Sequence, residues 1–221
     1  HENDKLVDSE LGMIPEGWEV KKFRDYLTIN NGFAFKSKDY ANYGTRIIRT
    51  KDFSQTKYIN VNEDIYLPDG LINKYKKFQL QEFDFLLIMV GASLGKYGIV
   101  LNKDIPSLQN QNMWAIRPNE NSNFPRTYIL SMMPYIIKKI INFSTGAARS
   151  FFRKEFFYDS NFLLPRQEFL NLYNDITLPL INQISILEEK NLNLHQTRDH
   201  LLPKLISGQV DVSDLNIDTG A

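Results

Sequence analysis

The sequence predicts an α+β body, a mixed or antiparallel β-sheet with flanking helices, followed by one long helix that forms coiled-coil contacts. Three observations lead there. Phe83-Asp-Phe-Leu-Leu-Ile-Met-Val90 is a nearly continuous apolar run closed by Gly91. At that length it reads as a central buried strand, not a helix. The last forty-odd residues place Leu180, Ile184, Leu187, Leu194, Leu201 and Leu205 in one register, with Asn191 and Arg198 at the two polar positions of the same seam. That is an a/d stripe, which a lone helix cannot bury against itself. Finally, 221 residues with 43% hydrophobic and 24% charged content suit one large domain, or one domain with an extension.

The elements follow in order. Residues 1–13 are a polar lead-in, and residues 14–164 form the body. Ile14-Pro-Glu-Gly-Trp18 is a turn leading into a short strand, Glu19 to Lys22, and Asn30-Asn31-Gly32 is a turn signal. Gly44 to Arg49 is a β-branched strand leaving a glycine, and Tyr58 to Val61 alternates as another. Tyr97 to Leu101 and Met113 to Arg117 are the expected neighbours of the central strand. A helix follows from about Pro125 to Phe143, turning Ile129, Leu130, Met133, Ile136, Ile137 and Ile140 inward, with Pro134 a point of kinking or division. Phe151 to Phe157 is a second apolar segment, and Phe162 to Leu164 a closing strand. Residues 165–208 are helical, with an interruption at Pro179 and a main helix over 178–205, a rod of about 40 Å. Gly208 stops it, and residues 209–221 are an acidic, loose tail.

Net charge is zero, yet the charges are segregated. Residues 1–20 carry −5, residues 21–160 carry +9 and residues 161–221 carry −4. A +9 body can present a phosphate-binding face, or its Lys and Arg can simply solvate the surface. Without Cys there is no disulfide framework and no thiolate metal site. No stretch approaches the roughly 20 apolar residues of a membrane span, and the polar first residues lack the apolar run of a signal peptide. A cytoplasmic protein is the expectation.

Catalytic signatures are weak. Gly91-Ala-Ser-Leu-Gly95-Lys96 resembles a phosphate-cradling loop but has three residues between its glycines, and Tyr97 stands where a Ser or Thr is needed. It reads instead as a tight turn whose glycines take positive φ, presenting Ser93, Lys96 and Tyr97 at its tip. His195 and His200 are five apart on one helix, which splays them to different faces, so no metal site is expected. No dinucleotide or methyl-donor fingerprint follows a strand. What remains is recognition chemistry: Lys36-Ser37-Lys38, Gln109-Asn-Gln-Asn112 and Ser144-Thr-Gly-Ala-Ala-Arg149, each at a turn. Gln and Asn can grip adenine, Arg and Lys guanine, although single amides equally serve to cap turns.

The order of motifs resembles the specificity subunit of type I restriction–modification systems. Gly17-Trp18, Asn31-Gly32, Ile47-Ile48-Arg49, Phe83-Asp-Phe-Leu-Leu87, Gly91 to Lys96, Asn110-Gln111, Thr145-Gly146, Leu163-Leu-Pro165 and Leu201-Leu-Pro-Lys-Leu-Ile-Ser-Gly208 carry the resemblance. It implies a target recognition domain followed by a spacer helix, usually present twice, with each domain reading half of a bipartite site on double-stranded DNA. Arg166-Gln167-Glu168 departs from the family's acid–glutamine pair at the helix start. The resemblance further implies no catalysis and no cofactor in this chain. S-adenosylmethionine belongs to partner methyltransferase subunits, and a restriction subunit can join them. The ending is similar to the close of a full-length subunit, so the second helix comes either from a preceding half or from a second copy of a half-length subunit. On this reading Lys36, Lys38, Lys96, Arg149, Arg153 and Lys154 are expected on DNA, mostly on phosphate. Ser93, Tyr97, Gln109, Gln111 and Thr145 are candidates for base contact, and Asn191 and Arg198 set the register of the helix seam. The rival readings are a protein–protein adaptor with a coiled-coil arm, and an enzyme in its own right.

Overall fold

A computed structural model describes residues 5–61, 63–120, 122–144 and 151–210, with the side chains of residues 142–144 excepted. The chain forms two compact units, His1–Pro179 and Leu180–Ala221.

In chain order the first unit contains β1 (Leu6–Val7), β2 (Ile14–Pro15), β3 (Glu19–Lys22), α1 (Phe23–Tyr26), β4 (Leu27–Asn31), β5 (Thr45–Ile48), β6 (Tyr66–Leu67), β7 (Phe85–Ile88), β8 (Tyr97–Ile99), β9 (Ser107–Gln109), β10 (Met113–Pro118), α2 (Arg126–Ser144), α3 (Lys154–Tyr158) and β11 (Asn161–Leu164). A long helix, α4 (Gln167–Ile206), begins in this unit and ends in the second.

The central sheet has the order β4-β10-β7-β8 and is antiparallel throughout. Its side chains alternate between two cores, because successive residues of a strand face opposite sides. Phe85, Leu87, Trp114 and Ile116 pack on one face with Ile129, Met133, Ile136 and Ile137 of α2. Leu86, Met113 and Ala115 pack on the other with Ile48, Ile59, Leu80 and Val100. Burial on both faces explains why the β7 run is continuous rather than alternating. A smaller mixed sheet has the order β6-β5-β9, with β5 and β9 parallel. It carries a third cluster built on Phe35, Ile47, Leu67, Tyr75 and Leu108. The closing strand β11 pairs with β3, Phe162 opposite Lys21. Leu6–Val7 of the lead-in pairs with Ile14–Pro15 at the start of the body.

Three expectations need correction. Tyr58 to Val61 forms no strand; it makes only single bridges, Ile59 to Phe53 and Tyr58 to Ile99. Pro134 does not divide α2, which runs unbroken. Nor does Pro179 interrupt the long helix: α4 is 40 residues, about 60 Å. A proline deletes one N–H and leaves the carbonyl four residues back without its helical partner. For Pro179 and Pro203 those residues are Asp175 and Asp199, both exposed, where water can take the bond. The helix starts against the body: Leu170 joins the main core, Phe169 lies 6.1 Å from the Trp18 ring, and Thr127 Oγ1 donates to Asn174 Oδ1 at 2.9 Å. It stops at Gly208, whose φ of 72° is left-handed, with the Gln209 N–H closing on Lys204 O at 2.9 Å.

Three fully or nearly buried aspartates tie the loops. Asp52, Asp84 and Asp104 each accept the N–H of the residue three positions earlier, from Arg49, Gln81 and Leu101, at 2.7, 2.8 and 2.9 Å. Burial pushes the Asp52 and Asp104 carboxyls up, while Arg49 and Lys103 respectively oppose the shift. Asp84 also joins β10 to α2: Arg117 Nε donates to its Oδ1 at 2.7 Å and Arg126 Nη1 to the same oxygen at 2.8 Å.

Gly32 marks the tightest backbone approach. A Cβ there would sit 1.8 Å from Asn110 O, a backbone atom that no rotamer change can move. Gly32→Ala is expected to cost about 2 kcal/mol, an overpacking penalty, by displacing the 110–112 turn. Urea unfolding followed by circular dichroism measures it, and an unchanged midpoint would show that the turn yields freely.

Candidate nucleic-acid interface

One end of the central sheet collects most of the turns that carry the expected polar contact residues. Because the strands are antiparallel, β4 ends, β10 begins, β7 ends and β8 begins at the same edge: Asn31 lies opposite Trp114, Met113 opposite Ile88, and Leu87 opposite Tyr97. The Gly91–Lys96 turn therefore stands beside the 110–112 turn, and the Met89 N–H donates to Asn112 O at 3.1 Å. Phe151 bridges Val90, and the Phe152 N–H donates to Met89 O at 2.8 Å, which brings Arg153 to the same rim. Past Gly32, Phe33 bridges Asn110 and leads to Lys36.

The turns are shaped by local chemistry. Gly91 and Gly95 both take φ of 83°, as a tight turn leaving a buried strand demands. Asn112 is left-handed at φ 68°, which Asn tolerates better than most residues. Asn110 uses its side-chain oxygen to accept the Gln111 N–H at 2.8 Å, so Asn110 holds the turn and Gln111 is left exposed.

The expected contact residues occupy different settings. Lys36, Lys38, Lys96, Gln111 and Arg153 are exposed, and Ser93 is half-buried. The Arg153 guanidinium lies 5.8 Å from the Phe151 ring centre, itself an exposed aromatic on the rim. Tyr97 is half-buried and stacks on Phe85 at 4.9 Å, and the Lys57 ammonium lies 4.7 Å from its ring centre. Burial pushes its phenol up, so it stays neutral. Two expectations are corrected. Gln109 is buried, and its amide donates to Asn30 O at 3.2 Å and Met113 O at 2.9 Å, joining the two sheets. Lys154 turns inward and donates to Ile29 O at 2.6 Å, its ammonium pushed down by burial. Thr145 and Arg149 lie outside the described residues.

Sequence reading passed over Lys57, at the rim, and Lys74, Lys76 and Lys77. The last three stand in a local charge run, but nothing in the sequence places their neighbours Tyr75 and Phe78 against Phe33. On α4, in the second unit, Leu180, Leu187, Leu194, Leu201 and Leu205 are exposed, with Leu194 at 67%. Asn191 and Arg198 are exposed as well, Arg198 pairing with Asp199 at 2.7 Å, and Ile184 is half-buried. Among the described residues, no group of three or more His, Cys, Asp or Glu is placed to hold a metal, and no helix is long and apolar enough to cross a membrane.

A family model described as the type I restriction modification DNA specificity domain matches residues 15–195. The chain belongs to this specificity-domain family. Curated relatives include the type I restriction enzyme MjaVIII specificity subunit of Methanocaldococcus jannaschii, 24% identical over 97% of this chain and 51% of that protein. The EcoAI specificity subunit of Escherichia coli is 27% identical over 49% of this chain and 19% of its own length. Among solved structures, the type I system S subunit from M. genitalium aligns with a TM-score of 0.59 at 14% identity, covering 86% of this chain and 46% of that one. The HsdS subunit from Thermoanaerobacter tengcongensis gives 0.52 at 15%, covering 89% and 46%. These structures share the α+β body and the long C-terminal helix. The chain spans about half the length of the MjaVIII and MjaIX specificity subunits of Methanocaldococcus jannaschii.

Proposed function

We propose that this chain is a non-catalytic DNA-reading module that recognises one half of a bipartite target on double-stranded DNA and docks methyltransferase subunits. The sheet rim carries the reading: exposed Gln111, Lys96 and Arg153 and half-buried Ser93 gathered on neighbouring turns at one end of the four-stranded antiparallel sheet. Amides and hydroxyls read base edges, while Lys and Arg neutralise phosphate. S-adenosylmethionine would be held by the methyltransferase, and a restriction subunit would complete the assembly. The exposed leucines of α4 would take a second helix of the same kind, from a preceding half or from a second copy.

The test is selection from a pool of randomised duplexes, which should enrich one short motif. Lys96→Ala with Arg153→Ala should weaken binding and lower the slope of log affinity against log salt by about 2, roughly one for each phosphate no longer neutralised. A chain that enriches no motif would be an adaptor instead.

A further inference from the structure

The smaller sheet carries a second basic surface that the rim does not account for. Lys74, Lys76 and Lys77 lie on a 3-10 segment, Asp69–Phe78, and all three are exposed. Lys36 and Lys38 stand at the short 3-10 turn Ser37–Asp39 and are exposed too. The two segments share one aromatic cluster. Phe33 lies 5.0 Å from both Tyr75 and Phe78, and Phe35 lies 5.1 Å from Tyr75. Since Phe33 also donates its N–H to Gln109 O at 3.1 Å, the aromatic cluster between these lysine-bearing segments is tied to the strand that leads into the 110–112 turn.

The charges on this lobe are sorted. Arg46, Arg49 and Lys51 are paired with Asp64, Asp52 and Glu63. Among the described residues no ion pair involves Lys36, Lys38, Lys74, Lys76 or Lys77, so five positive charges on one lobe lack a salt-bridge partner there. Two of them rest on aromatic faces: the Lys74 ammonium is 5.3 Å from the Tyr75 ring centre and the Lys77 ammonium 4.9 Å from that of Phe78. That seating limits how far each ammonium roams. All five are lysines, compact point charges without arginine's planar fork, which suits them to phosphate oxygens.

We propose that the Lys74–Lys77 segment, with Lys36 and Lys38 beside it, is a sequence-independent phosphate clamp that grips the DNA backbone flanking the half-site read by the rim. The clamp rests on the DNA-reading function proposed above. It fixes the position of the rim along the duplex and carries no base preference of its own.

The test uses the full chain with Lys74→Gln, Lys76→Gln and Lys77→Gln together. A fluorescent duplex of arbitrary sequence, about 30 base pairs and so well longer than one site, serves as probe from low to moderate salt. Leaving three phosphates without their lysines should lower the salt slope by about 2.7. The motif enriched from randomised duplexes should stay the same, with binding weakened uniformly across sequences. Lys21→Gln with Lys22→Gln, on β3 and outside both basic surfaces, removes charge elsewhere on the body and should leave the slope unchanged. If the parent chain enriches a motif and the triple variant keeps its slope, the clamp is wrong and the reading stands. If the folded triple variant enriches a different motif, the segment reads bases and the clamp is again overturned. If the parent chain neither binds the probe nor enriches a motif, the DNA reading itself fails.

Discussion

Asp84→Ala is expected to lower the stability of the body by about 3 kcal/mol, a large share of the stability of an ordinary domain. The carboxylate is fully buried and faces two guanidinium groups, Arg117 and Arg126. Removing it leaves both cations, which are largely shielded from water, without a counter-charge, and strips the Gln81 N–H of its acceptor. The partial exposure of Arg126 keeps the figure at the low end of the range for broken buried pairs. Asp84→Asn keeps an acceptor and the shape but loses the charge, so it should cost about half as much. Urea denaturation of both variants checks this. Equal midpoints for Asp84→Ala and the parent chain would show that the two arginines hold no structure through Asp84.

Leu187→Asp with Leu194→Asp is expected to abolish helix pairing while leaving the melting of the body unchanged. Both leucines are more than half exposed in the isolated chain, so neither carries the fold. In a paired seam each Asp would place a carboxylate in an apolar layer, at a cost of about 2 kcal/mol or more each. That weakens association by roughly 1,000-fold. Sedimentation of the purified chain and capture of a co-expressed methyltransferase subunit are the measurements. Unchanged size and unchanged capture would rule the seam out as the interface.

Much of the body was legible because its strands are punctuated. The β7 run stood out as continuously apolar since both its faces are buried, and Gly44, Gly91 and Gly208 marked ends that the chain does use. The failures have physical causes too. Tyr58 and Ile59 have strand-like composition, but this stretch gives Ile59 to the second core and makes single bridges, not a ladder. Proline in a long helix loses one hydrogen bond among many, so Pro134 and Pro179 do not end their helices. At the rim, turn residues were recognisable by type, yet which of them turn inward was not. Gln109 and Gln111 are two apart in one motif; strand alternation alone would put them on the same face. The chain turns between them, so one joins the sheets and the other is left exposed.

The Asp84 linkage has an evolutionary consequence. Asp84 precedes β7, Arg117 closes β10 and Arg126 opens α2, so the buried charges sit at the sheet end away from the rim. Exposed side chains on the rim turns contribute little to folding; the fixed points nearby are Gly32, buried Gln109 and inward-turned Lys154. Such a scaffold can exchange Ser93, Lys96, Gln111 or Arg153 at small thermodynamic risk. If the rim reads DNA as proposed, such exchanges would change the recognition sequence without first unfolding the body.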